Sequence, residues 1–386
     1  MNKKILIGAC PYGTYNTGDD AILQGIINGF GAYTHAMEVC TYKHPLMRAY
    51  LSDKIDTTFT NISFKSHFFF QHYQKGQYQI HSKVSWLSGY NQQINKGFFR
   101  NKDLFIAGGG TLLSDLPIHL AGTLALARKS QIPTITFGIG MDEVQPHEAL
   151  LEELSYLEYI YVRDPNTKNR LIKNGIDAAK IQVSFDPALL SVINQHNYTL
   201  PTQIEASKKE IVVALCLSSE RDIKSDIHIE HAANMIRNLQ KRYQIKVLLI
   251  PINTRPGFDI AYMKPLRKLA NTIAITTDNC SIEQIGNIIK QCHVCISSRL
   301  HLTILSAAVG VPFIGVHRNQ KIADFASLYQ AKCFEHTALD SEDFLAHFSY
   351  LINNHQNESS AIRQLTEEYQ QIQQATIKQI AAKYLT

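Results

Sequence analysis

No stretch of this 386-residue chain approaches the ~18–20 consecutive apolar residues that cross a membrane. The opening "MNKKILIGACPYG" imitates a secretory leader, but its apolar run stops after about six residues, short of the ~7–15 needed. We read it as a first strand and expect a cytoplasmic protein. Zinc-finger spacing is missing too. The seven cysteines include one lone C-x-x-C, Cys292 and Cys295, with no second pair to complete about four ligands. They read as buried structural thiols. The formal charge of +5 is too mild to argue for nucleic acid, and no partner of that class is expected. No repeat occurs at solenoid periods. Most unusual is the lack of acid between Asp56 and Asp103, where lysines are interleaved with Phe68, Phe69, Phe70, Tyr73, Trp86 and Tyr90. Such a mixture can lie on an anionic membrane surface, grip a phosphorylated acceptor or stack single-stranded bases. Its plainest reading is a helix or two with an aromatic core. Peripheral membrane contact through 57–102 stays open.

What is present alternates. "KILIGA", "DLFIAG", "TITFGI", "YIYV" and "IQVSF" are strand-like and are separated by helix-like runs. A polar stretch near 194–209 reads as a linker. The alternation then restarts with "EIVVALCL", "KVLLIPI", "TIAITT", "HVCISS" and "PFIGVH". Alternating strands and helices imply parallel sheets covered on both faces. The expectation is an α/β protein of two Rossmann-like domains facing across a cleft: 1–195 first, 205–335 second, and a helical tail over 336–386 without visible chemistry. In such sheets ligands bind at the carboxyl ends of the strands.

Four loops there carry candidate chemistry. "GTYNTGDD", 13–20, follows the first strand with the glycine spacing of a phosphate loop, but Asp19 and Asp20 stand where Lys and Ser/Thr would be. One carboxylate suffices to cap the next helix, which leaves the other for function, beside Asn16, Thr17 and Gly18. "AGGGTLLSD" places Gly108, Gly109 and Gly110 after a strand, where bare N–H groups favour an anion. Gly138 and Gly140 repeat the theme. Arg163 in "VRDPN" is a salt bridge or an anion clamp, while Asp164 caps a helix begun by Pro165 and closed by Gly175. "CISSRLH" converges Ser297, Ser298, Arg299 and His301 on a helix start, a place for an anion and for an imidazole acid or base. Lys321 adds a cation to the same rim.

Together, "YGTYNTGDDAIL", "GGGTLL", "RD" and "SSRLH…A…GVP…K" resemble the polysaccharide pyruvyl transferase family from about residue 8 to 325. The resemblance implies a fold similar to two-domain GT-B glycosyltransferases. It also implies transfer of the pyruvyl group of phosphoenolpyruvate to two hydroxyls of one sugar, giving a cyclic ketal and free phosphate. Whether the acceptor is a sugar in a cell-surface polysaccharide or its lipid-linked oligosaccharide precursor, and whether the cytoplasmic protein sits at the inner face of the membrane, stay open. By that resemblance Arg299, His301, Asn16, Gly18, Asp19, Asp20 and Lys321 are functional. His317 and Arg318 depart from the aromatic residue often found there. Phosphoenolpyruvate is the donor substrate, and neither a cofactor nor a metal is expected. The chemistry points to His301 as acid and to Asp19 or Asp20 as base or as the group that steadies the cation. Arg299, Ser297, Ser298, Arg163 and Lys321 would hold the donor. A GT-B glycosyltransferase with a nucleotide-sugar donor is the alternative, although no residue suited to a ribose or base stands out. A non-enzymatic interaction protein is a third reading.

Overall fold

The computed structural model describes residues 3–33, 36–41, 57–61, 99–115, 117–143, 146–192, 210–218, 225–255, 257–277 and 280–386. The linker and most of the acid-free stretch lie outside them. Two sheets organise the rest. The first has seven strands: β1 (Lys4–Gly8), β2 (Ala36–Thr41), β3 (Thr57–Asn61), β4 (Leu104–Gly110), β5 (Thr134–Ile139), β6 (Ile160–Val162) and β7 (Ile181–Val183), in spatial order β3-β2-β1-β4-β5-β6-β7. The second has six: β8 (Ile211–Cys216), β9 (Ile245–Leu249), β10 (Thr272–Ala274), β11 (Val294–Ser297), β12 (Phe313–His317) and β13 (Cys333–Glu335), ordered β10-β9-β8-β11-β12-β13. The pairings at both switch points are parallel. In each sheet the order reverses beside its first strand, and there the carboxyl ends open a crevice. Strands such as "LFIAGGG" are buried along their whole length, as sheets covered on both faces require.

Helices of two turns or more are α1 (Thr17–Phe30), α2 (Pro117–Lys129), α3 (Glu148–Ser155), α4 (Pro165–Lys173), α5 (Ser225–Arg242), α6 (Ile282–Lys290), α7 (Leu300–Ala308), α8 (Gln320–Leu328), α9 (Glu342–Asn353) and α10 (His355–Tyr384). None is long and apolar enough to cross a membrane. The α4 expectation is met in detail. Asp164 accepts from Thr167 N at 2.6 Å, Pro165 opens the helix, and Gly175 follows its end at φ +88°. Five of the cysteines are buried and two are half-buried.

Helix α1 joins the two sheets. Gly18, Gly25 and Gly29 fall on one face, since steps of seven and four residues nearly complete whole turns. A methyl on Gly25 would sit 1.8 Å from Pro187 O, and one on Gly29 would sit 2.5 Å from Ile377 of α10. The end of α1 thus rests on the turn after β7, and α10 returns from the second sheet to cover both. The tail therefore braces the molecule. Tyr369 stacks on Phe185 at 4.0 Å, and Gln373 donates to Asp186 O at 2.9 Å. We predict that Gly25→Ala lowers unfolding free energy by about 1–3 kcal/mol, because the contacted atom is backbone. Urea unfolding monitored by circular dichroism measures this, and an unchanged midpoint would contradict the packing.

Candidate functional site

The two switch-point crevices face each other and are sewn together. Thr17 N donates to Ile252 O at 2.9 Å, Thr254 N to Tyr15 O at 2.9 Å, and Asn16 bridges Asn253. The "GTYNTGDD" loop is thus a seam between domains. Asn16 caps α1, its side chain accepting from Gly18 N at 3.3 Å. This corrects the sequence expectation, since neither aspartate caps the helix. Asp20 reaches back to Gly13 N at 2.9 Å and is fully buried, with Oδ2 unpartnered. Burial, reinforced by Asp19, pushes its carboxyl up to about 8. Asp19 is half-buried and accepts from Asn16 Nδ2 at 2.6 Å. Burial raises it to about 6 against the Asn16 bond and the charges of Arg255 and Lys321. Burial thus raises both carboxyls, Asp20 further than Asp19.

The glycine triplet also has another job than expected. It ends β4 rather than starting a helix, and it is buried. Gly109, at φ +62°, would place a methyl 2.0 Å from Ile22, and Gly108 would place one 2.5 Å from Ile26. These glycines let α1 lie directly on the strand. Ser297 and Ser298 are likewise consumed by the fold. Ser297 Oγ accepts from Arg299 N at 2.9 Å, Ser298 Oγ accepts from Ser218 N at 2.8 Å, and both residues are fully buried. Arg299 spends its fork on Asp259, with Nη2 at 2.6 Å and Nε at 2.9 Å. Asp259 also accepts from Ile252 N and Asn253 N. The bidentate recognition expected for an incoming anion is thus spent inside the protein, positioning the seam.

His301 stands at the centre. Its ring lies so close to α1 that a methyl on Gly18 would be 2.2 Å from Nδ1. Its Nε2 points the other way, 4.0 Å from Asp186 Oδ2. Neither atom has a hydrogen-bond partner, and neither does Arg163 Nη1. Arg163 is buried, with Nε held by Asp164 at 3.2 Å. Lys321 crosses from α8 to Thr111 Oγ1 at 3.0 Å and to Asp142 at 3.8 Å, and burial lowers its pKa. Burial, with Arg163, Lys321 and Arg299, depresses His301 to about 3. Burial raises Asp186 to about 6 against the pull of Arg163. Below the cluster lies a cavity walled by Phe185, Leu189, Ile304, Phe325 and Tyr369, with about 10 Å³ open to the centre of a water-sized sphere, room for about one water. Among the described residues, no three His, Cys, Asp or Glu side chains gather as a metal would require.

The structure thus gathers Asn16, Gly18, Asp19, Arg163, His301 and Lys321 about one point. Thr17 packs fully buried in the seam. Two carboxylates escaped sequence reading. Asp186 follows "VSF" at a strand end, and its D-P pair repeats the cap signature of Asp164; Asp259 had no local signal.

Two crossed Rossmann-like domains with a site between them define a GT-B-like fold, and solved structures agree. A protein described as a UDP-N-acetylglucosamine 2-epimerase from Listeria monocytogenes aligns with TM-score 0.63 at 11% identity, covering 94% of this chain and 91% of its own. UDP-GlcNAc 2-epimerase from Neisseria meningitidis gives 0.59 at 15%, covering 96% and 99%. Anabaena HepE gives 0.58 at 13%, covering 100% and 99%. At such identities the likeness is one of fold. No curated protein matches the chain. The family model "Polysaccharide pyruvyl transferase" matches residues 16–319. The chain belongs to that family and is a transferase acting on a polysaccharide or sugar acceptor.

The protonated state of Asp20 has a sign that can be checked. Its folded pKa, about 8, lies above an unfolded value of about 3.9. The native state therefore keeps a proton that unfolding releases, and stability is lost as pH rises through this window, by at most ~1.4 kcal/mol per unit. Asp20→Asn keeps the acceptor for Gly13 and removes that slope. Its stability relative to the parent is expected to be greater at pH 8 than at pH 5 in urea titrations. Equal differences would show Asp20 ionised in the fold.

Proposed function

We propose that this enzyme transfers the pyruvyl group of phosphoenolpyruvate to two hydroxyls of one sugar, closing a cyclic ketal and releasing phosphate. One observation carries the reading: the buried, unpartnered Arg163 Nη1 shares a site with Lys321 and the imidazole of His301. Every charged neighbour that shifts His301 is a cation. An anion there would satisfy Arg163 and Lys321 and restore the imidazole's affinity for a proton. Phosphoenolpyruvate carries both a phosphate and a carboxylate. Arg163, Lys321 and the positive start of α7 are the groups proposed to hold them. Arg299 contributes charge from its Asp259 pair, and Ser297 and Ser298 support the turn.

In this reading His301 gives a proton to the methylene carbon, making a methyl group and a cationic C2. Asp19 removes the proton of the first sugar hydroxyl, whose oxygen bonds C2. The bond from C2 to the phosphate oxygen then breaks, and the second hydroxyl closes the ketal. One hydroxyl proton replaces that given by His301, and the other leaves on phosphate. Asn16 orients Asp19, and Gly18 admits the ring of His301. We place the acceptor in a cell-surface polysaccharide or its lipid-linked precursor at the cytoplasmic face. The basic, aromatic composition of 57–102 supports contact with such a surface.

Mass spectrometry of pyranoside acceptors incubated with phosphoenolpyruvate should find the pyruvyl mass added with release of phosphate. His301→Gln and Asp19→Asn should each cut turnover by ~10²–10⁴. Thermal stabilisation by phosphoenolpyruvate should persist in both variants, at ~2.7 kcal/mol for ligand at a hundred times Kd. Stabilisation by UDP-sugars alone would replace this reading with nucleotide-sugar chemistry.

A further inference from the structure

Asp186 lies on the far side of His301 from the Gly18 turn, and much of its surroundings fixes its place. Its Oδ1 accepts from Ala188 N at 3.0 Å, capping the turn that follows β7. Its carbonyl accepts from Gln373 of α10. Phe185, before it, adopts φ +60°, a conformation that costs a bulky residue free energy unless its surroundings impose it. The stack on Tyr369 supplies part of that constraint. The other oxygen, Oδ2, is left without a partner although the residue is 3% exposed, and it aims at the equally unpartnered Nε2 of His301 at 4.0 Å. Unmatched buried polar atoms are expensive, and a closing of about 1 Å would bring these two within hydrogen-bond distance.

We infer that Asp186 is the positioning residue of His301: its Oδ2 accepts a hydrogen bond from Nε2–H, fixing the tautomer and steadying the imidazolium. Nδ1, on the Gly18 side, is then the nitrogen turned toward the seam between domains. The charges around the pair set what Asp186 must overcome. Arg163 from the β6–α4 turn, Lys321 from α8 and Arg299 before α7 all disfavour imidazolium, while Asp164 raises Asp186. A bonded carboxylate would offset part of that field. The inference rests on the pyruvyl-transfer reading for its catalytic meaning, but the pairing stands on geometry alone.

Asp186→Asn separates the two oxygens' roles. Its carbonyl must accept from Ala188 N to keep the cap, a position asparagine suits well, so the amide NH₂ takes the place of Oδ2 and donates. His301 Nε2 must then accept, which moves the ring proton to Nδ1. Imidazole ¹⁵N NMR at pH 7 should report an Nε2–H tautomer in the parent and Nδ1–H in the variant. In transfer assays kcat should fall about 10²-fold with KM for phosphoenolpyruvate nearly unchanged. The alkaline limb of the pH–rate profile should move down by about one unit or more. Asp186→Glu should restore the limb in part, which a merely structural loss would not allow. An unchanged tautomer overturns the inference, as does an unshifted profile. A tautomer that flips in a protein with no phosphoenolpyruvate-dependent transfer supports the pairing and overturns only the reaction assigned above.

Discussion

The closeness of helix α1 to its surroundings is the constraint on which the molecule depends. Along one face its glycines replace side chains with contact. Gly18 abuts His301, Gly25 abuts the carbonyl of Pro187, and Gly29 abuts Ile377. The three contacted segments are the start of α7, the turn carrying Asp186 and the returning helix α10. Each belongs to a different part of the chain, and α1 sets the distances among them. Gly108 and Gly109 perform the same service beneath the helix, letting it lie on β4. Interiors are packed like crystals, and a shift at one contact is transmitted to the others. Registration of His301 against Asp186 is thus a packing property before it is an electrostatic one.

Electrostatics then acts on groups that packing has placed. Two cation–carboxylate pairs are spent internally: Arg299 with Asp259, and Arg163 with Asp164. Buried pairs of this kind add little net stability, but they hold their members still. Arg163 keeps one nitrogen in reserve, and Lys321 spans the domains at the same place. The ligand-free site therefore favours a neutral imidazole. Such a site suits a reaction in which the donor brings the charge that readies the acid. In the proposed reaction, proton transfer is tied to the presence of an anion in the cleft.

Much of this was legible in the sequence. Alternation of strand and helix patterns gave five strands of each sheet, because each run is short, apolar and bounded by turn residues, but it missed β2, β3 and β13. The loops worth reading followed from the rule that ligands gather at strand ends. What failed was the assignment of individual atoms. Ser297, Ser298 and Gly108 to Gly110 look like anion binders because local sequence cannot say which backbone groups already have partners. Asp259 was invisible because its importance comes from Arg299, 40 residues away. Asp186 carried a faint signal, the same Asp-Pro after a strand that marked Asp164. The helical tail showed no chemistry, and its role is to clamp the turn that bears Asp186, a relation only the fold creates.

The loop "GTYNTGDD" shows how a phosphate-loop outline can be turned to another use. A phosphate loop wraps bare N–H groups about an anion and adds a lysine. Here Gly13 N is spent on Asp20, Gly18 N on Asn16 and Thr17 N on Ile252 O. With those donors occupied, the loop has little to offer a phosphate. Asp20, its carboxyl pushed up by burial, closes the turn by accepting from Gly13 N. Asp19 is oriented by Asn16 and lies within the field of Arg255 and Lys321 from the second domain. The glycine spacing survives because Gly18 must admit His301, so the same residue that suggests a phosphate loop marks where the two halves of the site meet.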